Sequence, residues 1–439
     1  MPHSNLGGRH LPPDAFGASK KSYARAREAK GTSPGCDVLI LMASYGAGHR
    51  QAARAVAEAL REDRPELSLA TADYVDLVSP AFNRVTQSAY VLSVKYVPAA
   101  FGWFYHGTSR IGQRSGFQRY LNSLGQRRVM RLLDERQPRV VVCTFPTQAG
   151  VISDLVGRGQ VSVPTVSVIT DHTVHSQWIH PHTNEYCVSA AEMASGIITR
   201  GVPREQVHVT GIPIRSAFSR SYNRAATLRH LDLDPARPMV LVMSGAFGML
   251  TGVVAACRAL LRLPQGPQVV LVTGRDRKLA EDVHLALGGT ELPLRVLGFV
   301  DEIAPLMQAA DVLVTKAGGL TTSEALASGL PMVIFKPIPG QEQVNTAFLV
   351  RHGAARSVRT ARELAGSVRE LLADRARLQE MRDSCAALGR RDAAHRVAEI
   401  VLQTLDRTAA TPHGPAVRPG AWQPKRRFPG PVAADKPGA

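Results

Sequence analysis

The sequence predicts an α/β protein built from two Rossmann-like, doubly wound domains that face each other across a cleft. Short runs rich in Val, Ile and Leu alternate with segments whose apolar residues recur at helical spacing, which is typical of parallel sheets covered by helices. The alternation starts twice, near Asp37 and near Met239, each time with a strand and a glycine-containing turn. Ligands of such sheets bind at the carboxyl ends of the strands, so the glycine turns of both domains should line the cleft.

Composition divides the chain into five segments. The first is polar and rich in Gly, Pro and basic residues, and the last is rich in Pro, Ala and Arg; both compositions are typical of disorder. A stretch of Pro, Arg and Asp between the two alternating regions indicates an interdomain hinge. The predicted organisation is a disordered basic arm (1–35), an N-terminal domain (36–212), a hinge (213–238), a C-terminal domain with terminal helices (239–406) and a disordered tail (407–439).

The N-terminal domain is predicted to open with a strand at 37–42, a turn containing Gly46 and Gly48, and a helix from about His49. This unit is not the dinucleotide-binding fingerprint, because Gln51 occupies the position of the third glycine. It is not a P-loop either, because no Gly-Lys-Ser/Thr follows. Further strands are predicted at 140–143, 165–169, 185–188 and 207–210, with a helix at 147–156.

The C-terminal domain repeats this pattern. Its first predicted strand is followed by a glycine turn that starts at Ser244. The predicted strands are 239–243, 269–272, 295–297, 311–314 and 332–335. The predicted helices are 303–310, one near Thr346, and a helical region at 360–405.

The stretch 311–331 is predicted to be a strand, a turn and a helix that together form an anion site. The strand at 311–314 leads into a turn at 316–322 that is rich in glycine and hydroxyl groups, and a helix is predicted at 323–328. Free amides at a helix start, together with the helix dipole, favour negative charge there. On these residues alone, an ordinary strand-to-helix turn with a capping Thr or Ser explains the stretch equally well.

The side chains of this stretch suit a nucleotide. Gly318 and Gly319 allow the backbone to approach a phosphate, since no Cβ intervenes. Lys316 adds a cation. Glu324 lies where a carboxylate can accept hydrogen bonds from both hydroxyls of a ribose. This interpretation fails if Gly318, Gly319 and Glu324 are buried or turned away from the groove between the domains.

Charge and cysteine content restrict the function classes. A net charge of +17 indicates an acidic partner, which can be a nucleic acid, an anionic lipid or a phosphorylated substrate. The five cysteines show no CxxC spacing, which favours reduced thiols over a disulfide framework. The sequence contains neither an apolar run long enough to span a bilayer nor a signal peptide, so any membrane contact is expected to be peripheral.

The segment 80–139 combines bulky aromatic residues with many arginines. Aromatic side chains beside a cationic cluster suit the headgroup layer of an anionic membrane. The alternative is a pair of core helices whose arginines are simply solvated. The residues predicted to contact the membrane or the acceptor are Tyr90, Tyr96, Trp103, Arg114, Arg119, Arg127 and Arg128, together with Gly48 in the first glycine turn.

Several motifs in this order resemble one enzyme family. They are the Val38–Leu39–Ile40–Leu41–Met42 strand with its turn up to His49, the Thr170-Asp171 pair with Trp178-Ile179-His180-Pro181, Gly211-Ile212-Pro213, the stretch 316–324 and the stretch 339–345. Together they are similar to the monogalactosyldiacylglycerol synthases and diacylglycerol glucosyltransferases, relatives of the GlcNAc transferase that completes the peptidoglycan precursor. The resemblance covers about 37–405. It implies a GT-B fold and an inverting, metal-independent transfer of a sugar from a UDP-sugar to a lipid hydroxyl. It also implies a cytoplasmic enzyme at the inner face of the cell membrane, with no cofactor besides the UDP-hexose co-substrate.

The resemblance also assigns donor-site residues by position. Glu324 would hold the ribose, and the amides or hydroxyls of the helix start would bind the diphosphate. The implied diphosphate residues are Ser244, Gly245, Lys316, Gly318, Gly319, Leu320, Thr321 and Thr322. Phe299 and Val300 would border the uracil, and Gln341, Glu342 and Asn345 would face the donor sugar. The chain departs from the family pattern at Asp171-His172-Thr173, where the lipid synthases usually have Asp-Phe, and in its basic tails.

Two residues are candidates for the catalytic base. His49 lies at a helix start, where the positive helix end keeps an imidazole neutral and able to accept a proton. Asp171 follows a buried strand on the same side of the sheet, and it either orients His49 or is the base itself. Each also has an ordinary interpretation, as a packing histidine and as a capping aspartate.

Other functions account for fewer of these features. His172, His175, His180 and His182 are close in sequence, but Pro181 and the following strand should point the last two away from a common metal. Rival functions are transfer to a polyprenyl-linked acceptor, a UDP-GlcNAc 2-epimerase of the same fold, and nucleic-acid binding through the basic charge. The epimerase needs no basic aromatic segment, and no nucleic-acid recognition motif is present, so we expect no nucleic-acid partner.

Overall fold

The part of the chain that the structure describes is organised around two parallel six-stranded sheets. The structure is a computed structural model that describes residues 35–44, 47–78, 125–245, 250–264, 266–288 and 293–409. The strands alternate with helices, and every strand pair is parallel. The predicted α/β architecture of two doubly wound units is confirmed.

The N-terminal sheet has the strand order β2-β1-β3-β4-β5-β6. Its strands are β1 (Val38–Met42), β2 (Leu69–Asp73), β3 (Val140–Cys143), β4 (Thr165–Val168), β5 (Glu185–Val188) and β6 (Val207–Val209). Alternate residues of the central β1 enter two different cores, because side chains alternate across a strand. The edge strand β2 was not predicted. Its sequence, Leu-Ala-Thr-Ala-Asp, lacks the Val and Ile of a buried strand, and none of its side chains is fully buried.

Five helices belong to this half of the described chain. They are α1 (Ala47–Asp63), α2 (Tyr74–Val78), α3 (Gln126–Arg136), α4 (Pro146–Gly157) and α5 (Ala191–Ile198). Helix α1 starts two residues before the predicted point, so Gly48 and His49 lie in its first turn. This places His49 at the carboxyl end of β1, the edge at which ligands of parallel sheets bind.

The C-terminal sheet has the strand order β12-β11-β10-β7-β8-β9. Its strands are β7 (Met239–Met243), β8 (Gln268–Val272), β9 (Leu294–Leu297), β10 (Val312–Thr315), β11 (Met332–Phe335) and β12 (Ala355–Val358). The short edge strand β12 was not predicted, since only two of its four residues are buried. The associated helices are α6 (Arg224–His230), α7 (Val253–Leu261), α8 (Arg277–Leu287), α9 (Ala304–Ala309), α10 (Gly319–Ala327), α11 (Gln341–Arg351), α12 (Ala361–Ala373) and α13 (Arg375–Leu388).

The stretch predicted as a hinge, 213–238, is largely part of the C-terminal core. It contains helix α6, and Phe218, Leu228 and Leu231 pack with Leu306 and Met307 in one apolar cluster. The sequence analysis missed this packing because the apolar residues are widely spaced among prolines and arginines. The crossing between the domains is therefore shorter than the sequence indicated.

The last helix, α14 (Ala393–Ala409), crosses back to the N-terminal sheet, whereas the sequence analysis assigned it to the C-terminal domain. Val397, Val401 and Leu405 are buried with Val56 and Leu60 of α1. Polar contacts fix the same face, among them His395 with Asp63 at 3.0 Å and Arg407 with Glu185. Helical spacing shows that such a stripe is apolar, but it does not show which sheet the stripe covers.

The structure tests only part of the predicted membrane segment. No helix among the described residues is long and apolar enough to cross a bilayer. Tyr90, Tyr96, Trp103, Arg114 and Arg119 lie outside the described residues, as do 1–34 and 410–439 of the predicted terminal segments. Residues 407–409, predicted to belong to the disordered tail, instead complete helix α14. Arg127 and Arg128 lie on the exposed side of α3, whose Val129 and Leu133 face the core.

We expect Leu405→Ala to lower the free energy of unfolding by about 2–5 kcal/mol, because it leaves a cavity beneath α14 in the N-terminal core. The matched control is Gln403→Ala on the exposed side of the same helix, for which we expect a change within about 0.5 kcal/mol. Urea unfolding of both variants measures the difference. Equal stabilities would contradict the placement of α14.

Candidate active site between the two domains

Helix α10 begins at Gly319, four residues before the predicted start. Gly318 is its N-cap in an extended conformation, and the Thr322 hydroxyl donates back to the carbonyl of Gly318 at 2.9 Å. A Gly-Gly pair and two threonines have low helix propensity, which is why this turn looked irregular in the sequence. With this start, the amides of a helix N-terminus that lack an intrahelical partner belong to Gly319, Leu320 and Thr321.

The start of α10 touches the N-terminal domain. A Cβ on Gly319 would clash with the carbonyl oxygen of Thr170 and would lie 3.0 Å from Asp171 Oδ1. A Cβ on Gly48, at the start of α1, would lie 3.7 Å from Leu320. Two helix N-termini, one from each domain, therefore meet at the carboxyl ends of the two sheets. Gly318 remains partly exposed beside this contact, whereas Gly319 is buried by it, so the expectation of an unburied glycine holds for Gly318 and is wrong for Gly319.

Three predicted donor residues come together beside the helix start. Lys316 Nζ lies 2.5 Å from Glu342 Oε1. The other carboxylate oxygen, Oε2, accepts from the amide of Ile338 at 3.2 Å. A Cβ on Gly245 would lie 3.3 Å from Lys316 Cε, and the φ of Gly245 is 78°. The turns after β7 and β10 thus converge on one lysine, which Glu342 holds in place.

Ser244 does not point into this space. It is fully buried, and its hydroxyl donates to the carbonyl of Val272 at 3.1 Å, within the sheet. The hydroxyl contact with a diphosphate that the resemblance implied is therefore not available in this arrangement. The reason is that Ser244 still continues the strand-end pairing between β7 and β8, and the turn opens only at Gly245.

Phe299 and Val300 lie on different sides of their loop. Phe299 is 47% exposed, and the guanidinium of Arg275 lies 5.0 Å from its ring centroid. Val300 packs against the C-terminal core. An exposed aromatic ring beneath a guanidinium is a surface on which a nucleobase can stack.

Glu324 is buried and paired with Arg215. Only 4% of Glu324 is exposed, and Arg215 Nη2 lies 3.4 Å from its Oε1. Arg215 also donates to the carbonyl of Asp301. Burial raises the pKa of Glu324 to about 7, and the charge of Arg215 partly offsets that rise. The expectation that Glu324 is open to the groove is therefore wrong for this arrangement, because Glu324 is buried and Arg215 covers it.

Asp171 is held by the C-terminal domain. The side chains of Gln341 and Asn345, one turn apart on α11, donate to its carboxylate, Asn345 at 3.4 Å. Burial raises the pKa of Asp171, and the nearby His49 and these two amides act against that rise. Asn345 also donates to the carbonyl of Ala317 at 3.0 Å and accepts from the amide of His172 at 3.0 Å.

Asn345 consequently cannot face a donor sugar as the resemblance implied. It is fully buried, and its amide joins the turn after β4 to the turn after β10. Of the three residues proposed to face the sugar, Glu342 is engaged by Lys316, and Gln341 is partly exposed beside Asp171.

His49 is oriented through its Nδ1 atom. Nδ1 lies 2.8 Å from the carbonyl oxygen of Thr144 and 2.9 Å from the hydroxyl of Thr170. Because a carbonyl only accepts, Nδ1 carries the proton in the neutral ring and Nε2 keeps its lone pair. The ring also packs edge-on against Phe145 at 5.0 Å. Burial lowers the pKa of His49, and the charge of Asp171 partly offsets this, so the imidazole is neutral at pH 7.

The four clustered histidines point to different partners. His172 Nε2 lies 3.1 Å from the Thr322 hydroxyl, and its ring stacks on Phe348 at 5.0 Å. His175 caps a short helical turn through Gln177, His180 contacts the carbonyl of Pro146, and His182 packs against Gly157. Burial lowers the pKa of His172 and of His180 to about 4. No group of three or more metal-binding side chains occurs among the described residues.

Sequence reasoning missed several residues that shape this site. Arg215, Thr144 and Arg275 contact predicted site residues but belong to none of the motifs described above, and Thr170 belongs to one but received no role of its own. A signal was available for Arg215 and Thr170. Arg215 follows Gly211-Ile212-Pro213 by two residues, and Thr170 directly precedes Asp171.

Comparison with known proteins gives matches across both domains. Residues 49–214 match the monogalactosyldiacylglycerol (MGDG) synthase family, and residues 239–397 match the glycosyltransferase family 28 C-terminal domain. The processive diacylglycerol beta-glucosyltransferase of Bacillus mycoides is 32% identical over 366 residues, which is 83% of this chain and 93% of the relative. The Bacillus subtilis enzyme of the same name is 32% identical over 376 residues, covering 85% and 96%.

Solved structures share the fold. Acinetobacter baumannii MurG covers 84% of this chain and 99% of its own, with a TM-score of 0.57 and 17% identity. Anabaena HepE in complex with UDP and glucose covers 86% and 100%, with a TM-score of 0.51 and 16% identity. At these identities the structures establish the architecture, and the Bacillus relatives establish the family. The chain belongs to the family of monogalactosyldiacylglycerol synthases and diacylglycerol glucosyltransferases, and it is a glycosyltransferase with the GT-B fold.

Proposed function

We propose that this enzyme transfers a hexose from a UDP-sugar to a hydroxyl of a diacylglycerol-type lipid, with inversion and without a metal ion, at the cytoplasmic face of the membrane. The observation that carries the proposal is the meeting of α1 and α10. One helix start presents His49, the other presents free amides, and Asp171 lies between them. The Bacillus relatives, named for a diacylglycerol acceptor, support the choice of lipid.

The diphosphate is proposed to bind at the start of α10. Its amides and helix dipole attract negative charge, and Lys316 adds a full positive charge from the neighbouring turn. As the bond between the sugar and the diphosphate breaks, charge grows on the leaving oxygen, and these groups stabilise it. Glu342 keeps the lysine aligned while the site is empty. This charge supply is the basis for proposing a metal-independent reaction.

The nucleoside is proposed to extend from there towards Glu324 and Phe299. The ribose hydroxyls donate to the Glu324 carboxylate, which requires Arg215 to shift from its 3.4 Å contact. The uracil packs beside Phe299, where Arg275 already lies over the ring. Arg215 is placed to turn towards a phosphate when the ribose displaces it from Glu324.

His49 is proposed to be the base. Its Nε2 lone pair takes the proton of the acceptor hydroxyl while the acceptor oxygen forms a bond to the anomeric carbon. The bond from that carbon to the diphosphate oxygen breaks, and its electron pair leaves with UDP. A single displacement of this kind inverts the anomeric configuration. Asp171 stabilises the imidazolium that forms, and its own carboxylate is less available as a base because Gln341 and Asn345 occupy it.

The membrane contact is proposed to include the outer side of α3. Arg127 and Arg131 are exposed there, while Val129 and Leu133 anchor the helix in the core. Arg128 donates to the carbonyl of Leu77 at 2.7 Å and ties α3 to α2. Exposed arginines next to the predicted aromatic segment are suited to anionic headgroups, each contributing about 1 kcal/mol near the surface.

Wild-type enzyme, incubated with diacylglycerol vesicles and either UDP-glucose or UDP-galactose, should yield a glycosyldiacylglycerol detectable by mass spectrometry. His49→Ala should lower kcat about 10²–10⁴-fold, because it removes the proton acceptor. UDP affinity, measured by calorimetry, should stay unchanged, which separates catalysis from folding.

The rate of the wild-type enzyme should fall as the solution is acidified, and this fall should occur below about pH 6.5, since burial lowers the pKa of His49. Product only from polyprenyl-linked acceptors, or full activity in the variant, would reject the assignment.

UDP affinity should rise as pH increases through about 7. The reason is that burial raises the pKa of Glu324 to about 7, and only the ionised carboxylate accepts from both ribose hydroxyls. Because its pKa is raised by folding, Glu324 binds more protons in the folded protein than in the unfolded chain between pH 4.5 and 7. The contribution of Glu324 to the free energy of unfolding therefore falls as the pH rises through this range. Glu324→Gln should therefore abolish the pH dependence of UDP binding and raise thermal stability more at pH 8 than at pH 5. Calorimetry and thermal melts at both pH values test this, and an unchanged affinity profile would remove Glu324 from the donor site.

The double variant Arg127→Ala/Arg131→Ala should bind less to vesicles containing phosphatidylglycerol, with binding to phosphatidylcholine vesicles unaffected. These arginines are chosen because both are exposed, whereas Arg128 also holds α2. The matched control is Arg262→Ala/Arg362→Ala, which removes the same charge from the other domain. Vesicle sedimentation at two salt concentrations measures the effect. If both double variants lost the same amount of vesicle binding, the α3 arginines would contribute only through the net charge of the protein and would not form a specific membrane contact.

A further inference from the structure

A cavity of 1120 Å³ lies in the C-terminal domain, away from the cleft. Its walls come from the segment before β7, the loop before β8, the residue before β10, the end of α12 and the start of α13. The charged residues that line it are Arg224, Arg237, Arg369, Arg375, Arg382 and Asp311. We call it the basic back cavity. Its volume is slightly above the range of about 300–1,000 Å³ that is typical of sites for small molecules.

The basic back cavity lies at the opposite edge of the sheet from the donor site. Pro238, Pro267 and Asp311 directly precede β7, β8 and β10, so they mark the amino ends of these strands. The proposed donor residues Gly245 and Lys316 follow the carboxyl ends of β7 and β10. A five-residue strand spans about 16 Å, and that length of sheet separates the two sites.

Five arginines and one aspartate give the lining a net charge of +4. The aspartate is already neutralised, because Asp311 pairs with Arg224 at 3.0 Å and with Arg382 at 2.9 Å. It also accepts from the amide of Met239 at 2.9 Å. Asp311 therefore acts as a fixed support that aligns two guanidinium groups on the wall. It offsets only one of the five positive charges of the cavity.

The remaining arginines are available for a ligand. Arg369 and Arg375 are exposed and form no ion pair within the described residues. Arg237 is directed by one hydrogen bond to the carbonyl of Gly266 at 2.7 Å, which leaves other guanidinium N–H groups unused by that contact. Arg375 is also the first residue of α13, where the helix dipole adds positive potential.

The cavity walls are rigid. Four of the lining residues are prolines: Pro235, Pro238, Pro264 and Pro267. Proline fixes φ, so a wall built from it loses little backbone entropy when a ligand binds. Arginine, with a planar fork of donors, matches phosphate oxygens in pairs. No aromatic ring lines the cavity, which argues against stacking of nucleic-acid bases there.

We propose that the basic back cavity binds a phosphate-bearing anion that is not the sugar donor. The chemistry fits a soluble phosphorylated small molecule or the phosphate headgroup of a membrane lipid. The strands β7 and β10 connect it directly to the turns that carry Gly245 and Lys316. A bound anion would therefore lie at the opposite end of the strands that carry the donor turns.

Calorimetric titration with sodium pyrophosphate tests the site. Wild-type protein and the double variant Arg369→Ala/Arg375→Ala are compared, and both replaced side chains are exposed, so the fold is retained. We expect the variant to lose one binding equivalent or to bind at that site at least about tenfold more weakly, because charge-assisted hydrogen bonds are removed. UDP affinity should remain within twofold, which separates this cavity from the donor site.

The matched control is Arg158→Ala/Arg204→Ala, which removes two exposed arginines from the N-terminal domain. It should bind pyrophosphate like the wild type. Vesicles with and without phosphatidylglycerol distinguish the two sources. A lipid headgroup is indicated if only Arg369→Ala/Arg375→Ala loses binding to the phosphatidylglycerol vesicles and if pyrophosphate displaces the wild-type protein from them. Unchanged vesicle binding in the variant indicates a soluble anion. Pyrophosphate binding with equal stoichiometry and affinity in all three proteins would overturn the proposal.

Discussion

The close approach of Gly319 to Thr170 and Asp171 is the constraint on which the rest of the site depends. Gly319 is helical and has no unusual φ, so glycine is needed there for space and not for backbone freedom. A side chain would separate the start of α10 from the turn after β4. The amides at the start of α10, which we propose to bind the diphosphate, and the candidate base would then belong to different surfaces. Two helix dipoles pointing at one point also create a region of positive potential that suits a leaving diphosphate.

Hydrogen bonds hold this approach in place. Asn345 is bonded to Asp171, to the amide of His172 and to the carbonyl of Ala317, so one buried amide spans both domains. His172 adds a bond to Thr322 and a stack on Phe348. A phenylalanine at position 172, as the family resemblance implies for other members, keeps the stack and loses the bond to Thr322. The histidine therefore makes this domain contact more polar than a phenylalanine would. It also leaves the buried Nδ1 of His172 without a hydrogen-bond partner among the described residues, which costs free energy.

Most of the framework could be predicted from the sequence because buried parallel strands are continuous apolar runs. Strands such as Val140–Cys143, Glu185–Val188 and Met332–Phe335 were predicted with their true bounds. Edge strands β2 and β12 were missed because they are only half buried. The start of α10 was predicted four residues too late because glycine and threonine have low helix propensity. The positions of α14 and Asn345, the covering of Glu324 by Arg215 and the burial of Ser244 depend on contacts between distant segments, and no local pattern encodes them.

The covered state of Glu324 bears on how the donor binds. A carboxylate with a pKa near 7 beside a guanidinium is a group that burial has made costly to ionise. Ribose hydroxyls offer two donors without a charge, and a diphosphate offers Arg215 a stronger partner than a half-protonated carboxylate. Exchange of partners would therefore satisfy both groups at once: Glu324 gains the ribose and Arg215 gains the phosphate. The 3.4 Å pair of Arg215 and Glu324 is in this way suited to replacement by the proposed nucleotide.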